Sequence, residues 1–174
     1  DAIAHVLRCF DDGDITHVDG RVDPVADAEV IETDLMLADL ESIEKRRANL
    51  VRKLKGNDKE AQQQERLLVA AQEALEDGQP ARTVPVEEDD AKAWKGLQLL
   101  TTKPELFVCN VDEGSAATGN DYSARVADMA SAQGAGSVVI SAQIEEEISQ
   151  LEPEEADEFL AEMGLEEAGL ARLI

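Results

Sequence analysis

Two short polar clusters stand where this sequence can place chemistry. One is Asn110-Val111-Asp112-Glu113, which follows the apolar run Leu106-Phe107-Val108-Cys109. The other is Ser141-Ala142-Gln143, which follows Ser137-Val138-Val139-Ile140. An apolar run closed by polar residues fits a buried strand of a parallel sheet, and in open α/β sheets ligands sit beyond the carboxyl ends of such strands. Two neighbouring strand ends would converge on one pocket with polar side chains to hydrogen-bond a ligand. Asn and Ser also end strands as ordinary turn residues, so the spacing alone leaves both readings open.

Other chemistry is poorly supported. His5 and His17 lack partners at metal-ligand spacing and read as a strand and a loop residue. No Ser-His-Asp order, Cys-His pairing or C-x-x-C stands out, so no catalytic residue and no metal ligand is assigned. Cys9 and Cys109 lie in apolar runs, as buried thiols of a reducing compartment do. The 174 residues hold 16 Lys and Arg against 39 Asp and Glu, a net charge of −23, which disfavours a generic grip on phosphate backbones. Aromatics are only 3%, against a large β-sandwich or a base-stacking surface. No apolar run reaches membrane-spanning length and no export signal is seen, so a cytoplasmic chain without a membrane partner is expected. The start at Asp1 without Met and the stop at Ile174 in a helical pattern suggest that both ends are cut.

Several elements must position the two clusters. Ala2 to Phe10 is a nearly continuous apolar run closed by Asp11-Asp12-Gly13-Asp14, which predicts a strand buried on both faces. Leu106–Val111, a helix over Tyr122–Gln133 ended by Gly134-Ala135-Gly136, and Ser137–Ser141 make a β-α-β unit with a right-handed crossover. Between these parts the pattern is helical. Pro24 to Lys55 has no breaker, and Met36, Leu40, Ile43, Arg47, Leu50 and Leu54 recur at spacings of four and three. After Gly56, Asn57 with Glu60 predicts an N-cap, and Ala61, Gln64, Leu68, Ala71 and Leu75 continue the seam. A seam this narrow predicts a projecting antiparallel coiled-coil hairpin; two helices of an ordinary bundle are the alternative. A helix over Val86–Leu100 follows the Gly78-Gln79-Pro80 loop, and Pro153 to Ile174 reads as two short helices separated by Gly164.

Asp1 to Phe10, Val22-Asp23-Pro24, Thr102-Lys103-Pro104, Asn110 to Glu113, Ser141-Ala142 with Glu145, and the closing Phe159-Leu160, Gly164-Leu165 and Gly169 to Ile174 closely resemble the YchF family. These are Obg-like P-loop ATPases, also described as EngD or as GTP-dependent nucleic-acid-binding proteins. The resemblance implies an α/β fold: a partial Ras-like nucleotide-binding domain in residues 1–23 and 85–174, with a helical coiled-coil hairpin inserted at 24–84. It implies that Asn110, Val111 and Glu113 stand in the base-recognition motif, and Ser141, Ala142 and Gln143 in the loop that closes over the base. No G-x-x-x-x-G-K-[ST] or D-x-x-G motif occurs, so the phosphate loop, the Mg²⁺ that accompanies ATP or GTP, and a TGS domain would belong to a longer parent. That parent would hydrolyse ATP or GTP, while this stretch alone would be inactive.

Ordinary GTPases carry N-K-x-D at the base motif, whose Asp accepts from guanine's ring N–H and amino group. Val111 and Glu113 replace that Lys and Asp, which predicts ATP binding at least as good as GTP binding. Arg46, Arg47, Arg52, Lys53 and Lys55 are the one cationic stretch, placed near the hairpin tip. They suit an anionic partner such as the ribosome or its RNA; equally, they complement the helix dipole. The competing function is an acidic helical protein-interaction module with no nucleotide role.

Overall fold

The computed structural model describes residues 2–11 and 22–173, without the side chains of 172 and 173. His17 and the Asp12-Gly13-Asp14 turn lie outside them. In chain order the elements are β1 (Ile3–Arg8), α1 (Pro24–Lys55), α2 (Lys59–Glu76), α3 (Ala91–Gly96), β2 (Glu105–Asn110), α4 (Asp121–Gln133), β3 (Gly136–Ile140), α5 (Ala142–Ile148) and α6 (Pro153–Glu162). Contacts divide them into a sheet unit, Ala2–Ala28 with Glu105–Ile174, and a helical unit, Glu29–Pro104.

The sheet unit holds a parallel three-stranded sheet in the order β1-β2-β3, with Leu7 opposite Cys109 and Asn110 opposite Ile140. Leu7, Cys9, Phe107, Cys109 and Val111 pack with Val126 and Ala130 of α4 and Ile144 of α5. β2 is buried almost throughout, as a central parallel strand requires. β1 departs from expectation: its burial alternates, with His5 and Leu7 buried and Val6 65% exposed, so one face packs on the core and the other is open, and β1 pairs along one side only among the described residues. A continuous apolar run cannot distinguish an edge strand from a central one. Asn120 and Ser123 form a capping box at the start of α4, and Gly134 ends it at φ 70°, the left-handed geometry glycine tolerates.

In the helical unit the α1–α2 turn differs in detail from the sequence reading. Asn57 takes the left-handed position at φ 60°, and Asp58 caps α2, its carboxylate accepting from the Glu60 and Ala61 N–H groups. Ile43 and Leu50 of α1 and Leu67, Leu68, Ala71 and Leu75 of α2 share one core with Ala81, Leu97 and Leu99. The seam is thus not closed by two helices alone, and residues 85–104, expected with the second nucleotide-domain segment, pack here. The single helix expected over Val86–Leu100 is broken into the 3-10 turn Glu88–Asp90, the short α3 and a second 3-10 turn, Leu100–Thr102; Gln98 at φ 52° interrupts the helical path. Buried Asp39 secures that second turn by accepting from Leu100 N–H (2.7 Å), Thr101 N–H (2.8 Å) and Thr101 Oγ1 (2.7 Å).

Candidate functional site

The carboxyl ends of β1 and β2 and the start of α5 line one open cleft of about 540 Å³. Phe10 and Asp11 come from the segment after β1, Asn110 from the end of β2 with Val111 and Asp112 just beyond it, and Ala142, Gln143 and Glu146 from α5. A cleft beyond parallel strand ends is the favoured ligand position in this fold class. A larger cleft, about 670 Å³, lies in the helical unit, where Arg46 and Lys92 are offset by Glu60 and Asp89. It carries none of the strand-end groups.

Asn110 is fixed by both its backbone and its side chain. Its carbonyl accepts from Cys9 N–H at 2.8 Å, and its Oδ1 accepts from Ala142 N–H at 2.9 Å. With the oxygen so used, the Nδ2 amide retains two hydrogens for a ligand acceptor. Val111 N–H donates to Ile140 O at 2.8 Å, and its side chain joins the sheet core, where a lysine would place an unpaired charge. Asp112 caps the 3-10 turn Glu113–Ser115: its Oδ1 accepts from Ser115 N–H at 3.1 Å and its Oδ2 from Ser115 Oγ at 2.8 Å.

On the β1 side, Asn120 Nδ2 donates to Cys9 O at 2.7 Å and Arg8 Nε to Phe10 O at 3.1 Å. The Arg8 guanidinium lies 5.0 Å from the Phe10 ring centre, a cation–π contact. Tyr122 Oη donates to both Asp11 oxygens, at 3.2 and 3.1 Å, and this bond holds the phenol above its ordinary pKa.

Of the residues singled out from sequence, Asn110, Val111, Ala142 and Gln143 meet on this cleft, whereas Glu113 and Ser141 are not on its wall. Glu113 starts the 3-10 turn, and Ser141 is the N-cap of α5, its Oγ accepting from Ile144 N–H at 3.5 Å. Ala142 and Gln143 are therefore a helix's first turn and not a loop, because a Ser cap precedes good helix formers. Asp112, part of the first polar cluster but assigned no role, is also on the wall, and Phe10, Asp11 and Glu146 were not singled out. The strand-end rule, applied to β1 as well as to the two later strands, would have found Phe10 and Asp11.

The cationic stretch divides. Arg52, Lys53 and Lys55 are exposed, while Arg46 is partly buried on the helical-unit cleft. Arg47 is committed to α2: its Nε and Nη2 donate to Glu65 Oε1 at 2.9 and 2.7 Å and its Nη1 to Gln72 Oε1 at 2.6 Å. The bond to Glu65 raises its already high pKa. His5 is buried, 3.9 Å from Glu105 and edge-on to Phe107. Among the described residues no group of three or more His, Cys, Asp or Glu is placed to hold a metal ion, and no helix is long and apolar enough to cross a membrane.

No family model matches this sequence. It is similar along its whole length to proteins named Ribosome-binding ATPase YchF: 44% identical over 176 residues in Bacillus subtilis and 38% over 174 residues in Escherichia coli O157:H7. In both cases 100% of this chain aligns with 48% of the relative, so the chain spans about half the length of the curated relatives it matches. A solved structure of the Schizosaccharomyces pombe YchF GTPase superimposes with a TM-score of 0.82 at 27% identity, over 99% of this chain and 48% of that one.

Proposed function

This chain belongs to the YchF family, and from that premise we propose that it supplies the purine-base pocket of a nucleoside triphosphatase together with an arm that docks on the ribosome. The observation that carries the pocket is Asn110. Its Oδ1 is held by Ala142 N–H, so its Nδ2 is presented as a donor at the strand-end cleft. N7 is an acceptor on adenine and guanine alike, so this donor serves either purine. Guanine selection needs a carboxylate accepting from two neighbouring N–H groups. Asp112 on the wall is turned toward Ser115, each oxygen accepting one bond from it, and Glu113 is off the wall. The pocket therefore favours ATP at least as much as GTP.

The phosphate-holding loop has no counterpart in this sequence, and Mg²⁺ that accompanies the phosphates belongs, on this reading, to the part of the protein that bears that loop. Base contacts alone cannot position a transferring phosphoryl group, so the chain by itself is expected to turn over neither nucleotide. The arm is the α1–α2 hairpin, with Arg52, Lys53 and Lys55 facing ribosomal RNA in the cytoplasm. Titration of the ¹⁵N-labelled chain with millimolar ATP and GTP tests the pocket. Amide shifts should centre on Asn110, Val111 and Ala142, with the two nucleotides of comparable affinity, and Asn110→Ala should weaken both. Shifts elsewhere, or a tenfold preference for GTP, would refute the reading.

A further inference from the structure

One carboxylate next to the pocket is not part of its wall. Glu145, one turn into α5, reaches the backbone of the 3-10 turn Gly169–Leu173: its Oε1 accepts from Gly169 N–H at 2.6 Å and its Oε2 from Leu170 N–H at 3.4 Å. That turn packs on β3. The approach is close enough to require glycine, since a Cβ at residue 169 would lie 2.7 Å from Ile140 Cγ2 and 2.9 Å from Glu145 Oε1. The turn thus bears on two residues that bracket Ala142 and Gln143 in sequence. Ile140 precedes the α5 cap and holds Val111 N–H through its carbonyl at 2.8 Å. Glu145 stands on α5 between the wall residues Gln143 and Glu146 without lining the cleft itself.

Resting on the pocket reading above, we propose that Glu145 is a positioning residue of the purine cleft, and that the Gly169–Leu173 turn is the brace through which it acts. A purine engaged by Asn110 selects the placement of α5 in which Ala142 N–H meets Asn110 Oδ1. The Glu145 bonds to the turn select the same placement. Two interactions that favour one arrangement favour each other, so occupancy of the cleft strengthens docking of the turn, and docking strengthens occupancy to the same extent.

The experiment is ATP titration of the ¹⁵N-labelled chain, wild type and variants. In the wild type, the amides of Gly169 and Leu170 are expected to move with those of Asn110, Ala142 and Gln143 along one binding curve. Glu145→Ala and Gly169→Ala should each weaken that curve about threefold or more. The double variant should lose little beyond the larger single loss, because the two sites act as one device. Glu145→Gln, nearly isosteric, keeps one acceptor for Gly169 N–H and should recover part of the loss. If the wall amides respond to ATP while Gly169 and Leu170 stay still, and Glu145→Gln, Glu145→Ala and Gly169→Ala bind like wild type, the brace is overturned and the pocket stands. If the wall amides do not respond, or Asn110→Ala binds ATP as wild type does, the pocket reading falls and the brace with it.

Discussion

Replacing Arg47 by Ala should destabilise the helical unit without touching any exposed cation of the tip. Three donor contacts run from the guanidinium to Glu65 and Gln72. A hydrogen bond to a charged group contributes about 1.5–3 kcal/mol when buried. The Arg47 side chain is 36% exposed and Glu65 24% exposed, so solvent screening reduces that figure. The loss is raised again by what remains: Glu65 Oε2 is buried without a hydrogen-bond partner, and removing Arg47 would leave the whole carboxylate uncompensated. These terms together place the cost at about 2 kcal/mol, or about 4–8 °C in melting temperature for a chain of this size. Arg47→Lys should recover little, since an ammonium cannot form the fork to Glu65. Glu65→Gln in the Arg47→Ala background should recover part of the loss by removing the stranded charge. Thermal and urea unfolding followed by circular dichroism read all four proteins. A melting temperature for Arg47→Ala within about a degree of wild type would refute the strut and return Arg47 to the partner-binding set.

Three further outcomes are open to simple assays. Tyr122 is the single tyrosine, so its ultraviolet titration should fall above the ordinary value near 10 and return toward it in Asp11→Asn; the stabilising bond is fully present below the unfolded value and is lost as pH rises through the folded one. Asp90 accepts from Gln63 Nε2 at 2.6 Å and pairs with Arg66 at 2.9 Å, which lowers its pKa. Its contribution is therefore present above about pH 4 and lost as pH falls through its lowered value, so the stability gap between wild type and Asp90→Asn should close on acidification; a gap constant from pH 6 to about pH 2 would refute the pairing. Cys9 and Cys109 are both fully buried, and the bond Cys9 gives Cys109, with burial, pushes the Cys9 thiol up. Neither should react with Ellman's reagent until the chain unfolds, and rapid modification of a native thiol would contradict the packing.

The sheet and the long helices were legible because their signals are local. β2 is an apolar run between Pro104 and Asn110, and α4 ends at a glycine whose φ only glycine adopts easily. What failed was of two kinds. Continuous apolarity does not show whether both faces of a strand are covered, so β1 read as buried on both faces although Val6 is exposed. Periodicity over Val86–Leu100 could not register the left-handed Gln98, because a single backbone reversal is a tertiary outcome that leaves the pattern of Trp94 and Leu97 intact.

The site divides along the same line. Asn110, Ala142 and Gln143 meet on one cleft wall as the strand-end rule, which depends on chain position, leads one to expect, and the hydrogen bond from Ala142 N–H to Asn110 Oδ1 is what such adjacency produces. Glu113 was chosen by its place in a motif and Arg47 by its charge. Position in a motif does not state which way a side chain leaves the backbone, and charge does not state what stands opposite. Asp112 took the wall while Glu113 entered the 3-10 turn, and Glu65 stood across from Arg47. A carboxylate or a guanidinium oriented by bonds within the fold, as Asp112 is by Ser115 and Arg47 by Glu65 and Gln72, is accounted for by the fold before any ligand is invoked. Asn110 Nδ2 and the exposed Arg52, Lys53 and Lys55 are the groups on which the proposed function rests, whereas Arg47 and Asp112 are engaged within the fold.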